Sequence, residues 1–317
     1  MSSPQLGWIG LGSMGIGMSK NLQKHLSSSS FPALVYTNRT LSRGDSLKDL
    51  GAIPLESVDK VARKSDIIFS CVSNDAVLQA VVDEIIASGD ITGKVCVDCS
   101  TVHPDTSKSV LAKITRAGAH FIAAPVFGAS PMAEAGKLIF VVAGRGTAKT
   151  AITPYLKNVM GRSVIDLGED VTKSSLLKIA GNVCVVSFME VISEAHVFAE
   201  KTGLGSEILE QMLGDMFGPV IESYSKRLTS GNYAPPPNGK AGFDVSLAIK
   251  DAKHALNCAE AAGTRIKVSE IALSHLERAR ELQPQRPLDS GAIYGTIRSE
   301  AGLDFLTDLC KSRDSSS

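Results

Sequence analysis

The sequence is poor in aromatic residues and has no excess charge of either sign. Aromatic side chains make up 5% of the 317 residues, with one tryptophan, so few rings are available on which nucleic-acid bases could stack. The 33 basic residues are balanced by 33 acidic ones, which leaves no positive field to hold a polyanion. We therefore expect no nucleic-acid partner.

Long uncharged hydrophobic runs are also missing. Apart from windows within the glycine- and serine-rich residues 1–19, every window of eighteen residues contains a charged side chain. Few residues precede the first apolar run, so we expect neither a membrane span nor a targeting peptide. A hydrophobic content of 44% with 21% charged residues is typical of globular domains. These features predict a cytoplasmic protein without a membrane partner.

Cysteine and histidine are few and scattered. Six cysteines are too few for a disulfide framework in a chain of this length, and most lie in apolar runs. Cys96 and Cys99 have redox-motif spacing, but they lie in a strand-like run, which favours a structural role. The six histidines do not cluster with one another or with cysteine, so we predict no metal site.

The first half of the chain alternates short apolar runs with amphipathic stretches. This pattern is typical of β-α-β units, and it predicts an α/β domain with a doubly wound, largely parallel Rossmann sheet. The predicted strands are Leu6–Ile9, Leu34–Thr37, Ile67–Val72, Val95–Cys99, His120–Ala123, Leu138–Ala143 and Val164–Leu167.

The second half has a helical pattern throughout. A helix predicted over Leu176–Ala199 is apolar on most sides, and its length suggests a spine between two domains. Pro235, Pro236 and Pro237 predict a loop. Further helices are predicted near Ser206–Leu228, Asp244–Ala262, Lys267–Leu282 and Ser290–Leu309. We therefore predict a nucleotide-binding domain at 1–168 and an all-helical domain at 169–317 that carries the substrate cleft and the oligomer interface.

A G-x-G-x-x-G motif follows the first predicted strand and opens a helix. Gly10 allows the tight turn, Gly12 lets the backbone approach a pyrophosphate, and Gly15 permits close packing of helix on strand. The alternative is a merely glycine-rich turn, but the β-α-β context favours a dinucleotide site. The cofactor-binding residues predicted here are Gly10, Leu11, Gly12, Ser13, Met14 and Gly15.

The end of the second predicted strand favours NADP(H) over NAD(H). NAD enzymes usually have an acidic residue at this point to bind the ribose 2′-hydroxyl, whereas this chain has Asn38, Arg39 and Thr40, with Arg43 beyond them. The guanidinium of Arg39 offers a forked, permanently charged donor to a 2′-phosphate. The alternative is a surface arginine in a solvated turn.

Lys178 and Asn182 are polar exceptions in the apolar helix, and they lie four residues apart on one face. A lysine in so apolar a helix must point into a cavity, a cleft or the solvent. Near a nicotinamide that is becoming cationic, burial and the positive neighbour both ease release of its proton. The alternative is a lysine that snorkels to the helix surface.

These motifs occur together with three further segments in a recognisable order. Asp98, Ser100, Thr101 and Pro104 follow the fourth predicted strand, Ala124-Pro125-Val126 follows the next, and Lys250-Asp251 lies in a later helix. With the leading Gly-Leu-Gly-Ser-Met-Gly, the chain resembles the β-hydroxyacid dehydrogenases over nearly its whole length. This family includes 3-hydroxyisobutyrate dehydrogenase and the glyoxylate and succinic semialdehyde reductases and, more distantly, 6-phosphogluconate dehydrogenase.

The resemblance implies an oxidoreductase that moves a hydride between NADP(H) and a small aldehyde, keto acid or hydroxy acid. It implies that Lys178 acts as general acid or base and that Asn182 orients the substrate. It implies that the substrate carboxylate is held by Ser100, Thr101 and the backbone around Gly128, with Phe127 beside it. It also implies that the nicotinamide ribose contacts Val72, Ser73 and Asn74, and that Lys250 lies close to the cofactor or the substrate. Taken alone, Thr101 could instead cap a helix and Lys250 could be an exposed charge. The resemblance also implies a homo-oligomer, either a dimer or a tetramer.

The departures from the family pattern concern the substrate. The family often has glycines where this chain has Thr172 and Ser174. In the family's A-P-V-S-G-G segment, this chain has Phe127 in place of the serine and Ala129 in place of the last glycine. The Phe127 side chain would narrow the carboxylate pocket and make it less polar, which allows a less polar substrate. Imine reduction on the same scaffold is therefore an alternative. A non-catalytic NADPH-binding scaffold is a second alternative, which the presence of Lys178 disfavours.

Overall fold

The strands form where apolar residues can be buried on both faces, as in Leu6–Ile9, where all four residues are buried. The computed structural model describes residues 3–316. Its strands are β1 (Leu6–Ile9), β2 (Val35–Thr37), β3 (Ile53–Pro54), β4 (Ile67–Ser70), β5 (Val95–Asp98), β6 (His120–Ala123), β7 (Val126–Phe127), β8 (Leu138–Gly144) and β9 (Gly161–Asp166).

Helices alternate with these strands. They are α1 (Ser13–Ser28), α2 (Asp45–Lys48), α3 (Val58–Lys64), α4 (Asp75–Ala87), α5 (Pro104–Arg116), α6 (Ser130–Glu134), α7 (Gly146–Leu156) and then α8 (Val171–Thr202). The predicted α/β class is confirmed, because β1 to β6 are paired in parallel through this alternation.

The order of the strands determines where a ligand can bind. The sheet runs β3-β2-β1-β4-β5-β6-β8-β7, and β9 pairs with β8. The chain winds outward from β1 through β2 and β3, and then resumes on the other side of β1 with β4. Open α/β sheets bind ligands outside the carboxyl ends of the strands at such a reversal. β8 pairs antiparallel with both β6 and β7, so the sheet is mixed at this edge.

The long helix α8 runs through the point where the chain divides into two compact units, Met1–Lys178 and Ile179–Ser317. The predicted domain boundary at residue 168 stays a prediction. Among the described residues, α8 is the one helix long and apolar enough to cross a membrane. Core helices of soluble proteins have the same composition, and Val186, Met189 and Ile192 of α8 belong to the hydrophobic core of the second unit.

The second unit is helical, as predicted. After the end of α8 it consists of α9 (Ser206–Phe217), α10 (Pro219–Thr229), α11 (Val245–Ala261), α12 (Lys267–Leu282), α13 (Ile293–Glu300) and α14 (Asp308–Ser315). The prolines at 235–237 lie in a loop between α10 and α11, as expected from their fixed φ and missing N–H.

Two predicted helices were wrong in extent. The helix predicted over Ser206–Leu228 is broken at Gly218, which has a φ of +81° and is followed by a proline that opens α10. The helix predicted over Ser290–Leu309 ends at Glu300, and Gly302 then turns the chain at a φ of +75°. A new helix begins only at Asp308, where the Thr307 side chain accepts a hydrogen bond from the Cys310 N–H.

Candidate active site

The turn between β1 and α1 is shaped by its glycines. Gly10 has a φ of +96°, and a Cβ on it would lie 2.3 Å from the Cys71 carbonyl oxygen. A Cβ on Gly15 would lie 2.2 Å from the Gly10 carbonyl oxygen, so this glycine allows the first turn of α1 to approach β1. The sole tryptophan holds the same turn, because Trp8 Nε1 donates to the Gly10 carbonyl oxygen at 2.8 Å.

Gly12 is different, because a Cβ added to it would meet no atom within 4 Å. It is the N-cap residue of α1, and no side chain caps the helix there. The first N–H groups of α1 are therefore not capped by a side chain, and they lie at the positive end of a helix, an arrangement suited to a phosphate. Ser13 is exposed beside Gly12, and Met14 is half-buried. These residues fit the pyrophosphate of a dinucleotide.

Asn38 joins this turn to the end of β2. Its Oδ1 accepts a hydrogen bond from the Leu11 N–H at 2.9 Å, and its Nδ2 donates to the Thr40 carbonyl oxygen at 2.8 Å. Both polar ends of the Asn38 side chain are therefore used inside the protein. Arg39 and Thr40 are exposed directly after it, so Arg39 is the accessible charge next to the glycine turn. The structure thus brings the two predicted parts of the cofactor site together.

The loops after β4 and β5 are joined by a chain of buried hydrogen bonds. Ser100 Oγ donates to Asp98 Oδ1 at 2.7 Å and accepts from the Val72 N–H at 2.8 Å. Ser70 Oγ also donates to Asp98 Oδ1, at 2.8 Å. Asp98 and Ser100 are buried, so the hydroxyl of Ser100 is committed to holding these loops together.

The remaining residues of these loops have distinct positions. Asn74 caps α4, since its Oδ1 accepts from the Val77 N–H at 3.0 Å, and its Nδ2 lies 3.3 Å from Ser73 Oγ. The N-cap of α5 is His103, not Thr101, so the capping alternative for Thr101 is wrong. Thr101 is half-buried ahead of that cap.

The cysteines near these loops have raised thiol pKa values. Burial, with a smaller contribution from the Asp98 charge, raises the pKa of the Cys71 thiol to about 12. Burial likewise raises the pKa of Cys96 to about 12 and that of Cys99 well above its usual range. None of the six cysteines, all of which lie within residues 3–316, forms a disulfide, which agrees with a structural role for Cys96 and Cys99.

Lys178 lies against an aromatic ring. Its Nζ is 4.7 Å from the centroid of the Phe127 ring, and Phe127 is the last residue of β7. A cation over a ring face at this distance is attracted by the negative charge on that face. Gly128 follows with a φ of +130°, and a Cβ there would lie 2.7 Å from Leu138 Cδ2, so the turn after Phe127 requires glycine.

Two serines attach the start of α8 to the first unit, one to strand β8 and one to helix α5, and so position Lys178. Ser174 Oγ donates to the Val141 carbonyl oxygen of β8 at 2.6 Å, and Ser175 Oγ lies 2.8 Å from Ser107 Oγ of α5. Both serines are buried, and they precede Lys178 by about one turn of α8. Ser174 occupies one of the positions where the family often has glycine, and its hydroxyl is satisfied there.

In the second unit, Asn182 and Lys250 are connected by Asp251. Asn182 Nδ2 donates to Asp251 Oδ2 at 2.6 Å, and Lys250 Nζ lies 2.9 Å from Asp251 Oδ1. Asn182 and Asp251 are buried, and the Lys250 side chain is 18% exposed, so Lys250 is not a solvated surface charge. The ion pair orients the Asn182 amide, because Asp251 accepts from its nitrogen.

Sequence reasoning gave no role to Asp98 or Asp251. Asp98 holds two serine hydroxyls, and Asp251 holds one amide and one ammonium. A signal was available at 251, since an acidic residue among the alanines of α11 needs a partner if it is buried. Among residues 3–316 no three metal-ligating side chains form a group that could hold an ion.

Comparisons with known proteins agree with this arrangement. The family model described as the NAD binding domain of 6-phosphogluconate dehydrogenase matches residues 5–168. The NADH-dependent oxidoreductase ucdB of Aspergillus ustus is 31% identical over 297 residues, covering 93% of this chain and 99% of that protein. Glyoxylate/succinic semialdehyde reductase 1 of Arabidopsis thaliana is 31% identical over 286 residues, covering 88% of this chain and 93% of the relative.

Solved structures share the fold at lower identity. The crystal structure of 3-hydroxyisobutyrate dehydrogenase from Salmonella typhimurium superposes with a TM-score of 0.80 at 20% identity, covering 92% of this chain and 98% of that one. An imine reductase from Pseudomonas sp. superposes with a TM-score of 0.61 at 19% identity, covering 93% and 100% of the two chains. These likenesses show that the fold is common to both kinds of enzyme.

Proposed function

Because this chain belongs to the 6-phosphogluconate dehydrogenase-like family of NAD(P)-binding oxidoreductases, we propose that it is an NADPH-dependent reductase of a small aldehyde or keto acid. The resemblance read from the sequence motifs is thereby confirmed, and the chain is a hydroxyacid dehydrogenase-like enzyme. The observation that carries the proposal is the Lys178 ammonium, held 4.7 Å from the Phe127 ring in the unit that carries the dinucleotide turn.

We propose that the dinucleotide binds along the carboxyl ends of β1, β2, β4 and β5. The open space at Gly12 and the uncapped N-terminus of α1 support binding of the pyrophosphate there. Arg39 and Thr40 would hold the 2′-phosphate, with Asn38 positioning the turn beneath them. The proposal further assigns Val72, Ser73, Asn74 and Thr101 of the same unit to the nicotinamide end. The role of Lys250 near the cofactor or the substrate stays a prediction.

The proposed chemistry needs one proton from the protein. The bound dinucleotide supplies a hydride, which carries two electrons to the carbonyl carbon. The carbonyl oxygen then takes a proton from Lys178 Nζ, so that one N–H bond breaks as the O–H bond forms. Lysine regains its proton from water, and the reverse oxidation uses the neutral amine as base. Asn182, oriented by Asp251, is proposed to hold the substrate oxygen.

An NADPH-oxidation panel tests this function. It contains glyoxylate, succinic semialdehyde, methylmalonate semialdehyde, the uncharged aldehyde butanal and a cyclic imine, with NADPH absorbance as the readout. We expect turnover of at least one of the carbonyl compounds. Turnover of the imine alone would replace carbonyl reduction by imine reduction, which the apolar Phe127 ring beside Lys178 favours as the second candidate. Tight NADPH binding without any turnover would support a non-catalytic scaffold.

The choice of NADPH over NADH is tested at Arg39. We expect Arg39→Ala to weaken NADPH binding about tenfold, because a charge-assisted hydrogen bond is worth about 1.5–3 kcal/mol and Arg39 is exposed. NADH binding should stay unchanged. Fluorescence of the sole tryptophan, Trp8, measures both affinities, since its indole contacts the glycine turn.

Arg116→Ala is the matched control for this substitution, because Arg116 is exposed at the end of α5. Equal or tighter NADH binding by the unsubstituted protein would reverse the cofactor assignment. That outcome would align the chain with its relative from Aspergillus ustus, whose name states NADH dependence.

We also propose that the protein is a homo-oligomer. Large apolar side chains of the second unit are more than half exposed, an unusual amount for a monomer: Val191, Phe198, Ile208, Met216, Phe217 and Val220. A second copy of the chain is the proposed cover. Light scattering at micromolar concentration should give two or four times the chain mass of 33.4 kDa. A monomer under these conditions would contradict the proposal.

A further inference from the structure

We propose that Phe127 makes this site selective for uncharged carbonyl substrates, so that a carboxylate on the substrate is disfavoured. The inference rests on the proposed reductase function and narrows its substrate class to uncharged aldehydes. It assigns specificity to one aromatic side chain, whose position is determined by the pairing of β7 with β8 and by the turn at Gly128.

The position of the Phe127 ring is well defined. Phe127 pairs with Ile139 of β8 in antiparallel register, and the glycine turn begins directly after it. Its ring is half-buried, and the centroid is 4.7 Å from Lys178 Nζ. The start of α8 is itself attached to β8 through Ser174, so both partners of the contact are held by the same strand. The ring therefore covers one side of the ammonium group.

This contact affects an anion and a neutral group in opposite ways. The face of an aromatic ring is negative, so it attracts the ammonium and repels a carboxylate placed against it. Phe127 also has no N–H or O–H to donate, and a carboxylate that loses water needs such donors. An alkyl substituent has no such requirement, and it gains from burial against the ring. On this side of Lys178 the wall therefore suits an apolar group.

One of the two hydroxyls predicted to hold a carboxylate, that of Ser100, is already occupied. Ser100 Oγ gives its proton to Asp98 and accepts the Val72 N–H. A substrate carboxylate could gain the Ser100 proton only by displacing the buried Asp98 carboxylate, which would place two anions close together. Phe127 and Asp98 thus both disfavour a substrate carboxylate, and they lie in two different segments of the first unit.

The test compares two aldehydes of equal chain length, butanal and succinic semialdehyde, which differ in the terminal carboxylate. We expect the unsubstituted protein to have a kcat/KM for butanal at least about tenfold above that for succinic semialdehyde. Phe127→Ser, which replaces the ring with a hydroxyl donor, should shift this ratio at least about tenfold toward succinic semialdehyde. Phe127→Leu is the matched control, because it keeps the wall apolar and should retain the preference for butanal.

A binding measurement provides a second readout that does not depend on turnover. Butyrate and butyramide have the same shape and differ in charge, and calorimetry on the NADP⁺-loaded protein compares their affinities. We expect the unsubstituted protein to favour butyramide and Phe127→Ser to reduce that preference. Should the unsubstituted protein favour succinic semialdehyde and butyrate, the inference is overturned while the reductase function stands. Absence of turnover with every aldehyde would remove the proposed function as well.

Discussion

Replacement of Lys178 by methionine is expected to lower kcat by about 10²- to 10⁴-fold, the usual contribution of a general acid. Methionine keeps the length of the side chain and can still pack on the Phe127 ring, but it has no proton to give. NADPH affinity should change little, because the glycine turn and the residues after β2 form from other segments. The measurement is steady-state turnover together with the Trp8 fluorescence titration of NADPH.

The control for this variant is Lys173→Met on the same helix. Lys173 is exposed, so its loss removes the same charge from α8 without reaching the Phe127 ring. Turnover of the Lys173 variant should equal that of the unsubstituted protein. Unchanged turnover of Lys178→Met with intact NADPH binding would remove Lys178 from the mechanism.

Gly12→Val is expected to abolish cofactor binding without unfolding the protein. Gly12 has a φ of −68° and a ψ of −175°, which an L-residue can adopt, and the added Cβ would meet no protein atom within 4 Å. The valine methyl groups would instead fill the space through which the pyrophosphate approaches the N–H groups of α1. NADPH affinity should fall at least about hundredfold, since several charge-assisted bonds of about 1.5–3 kcal/mol each would be lost.

Gly146→Val is the matched control for this substitution. Gly146 also opens a helix of the first unit, and its added Cβ would meet only Glu169 Oε1, at 4.0 Å. Its effect on NADPH binding should be negligible, with circular dichroism reporting the fold of both variants. Full NADPH affinity of Gly12→Val would show that the cofactor does not use this turn. Gly15→Ala is a poorer test, because its Cβ would collide with the Gly10 carbonyl oxygen.

Much of the fold was predictable because burial leaves a local pattern. β1 and β6 have their predicted bounds, since each is a short run of apolar residues between turns. The two-residue strands β3 and β7 were missed, because so short a segment has no period. The break at Gly218 and Pro219 was visible in the sequence, yet the apolar pattern continues across it.

Part of the candidate site was likewise predictable from the sequence, and part was not. The glycine turn was predictable, because the glycines that it requires, Gly10, Gly12 and Gly15, lie close together in the sequence. The joining of Ser100 to Val72 was not, since it requires β4 and β5 to be neighbours in parallel register. The pairing of Asn182 with Asp251 similarly depends on α8 and α11 lying side by side in the second unit.

By itself, the sequence determined the dinucleotide turn, the absence of an acidic residue after β2, and the lysine in an apolar helix. Each of these is a local feature, because the residues that form it are neighbours in the sequence. Only the tertiary structure decided which groups face that lysine and which hydroxyls are already used. Phe127 reaches Lys178 because β7 pairs with β8 and α8 is attached to the same strand. Contacts of this kind depend on strand pairing and burial between segments far apart in the chain, which no local pattern records.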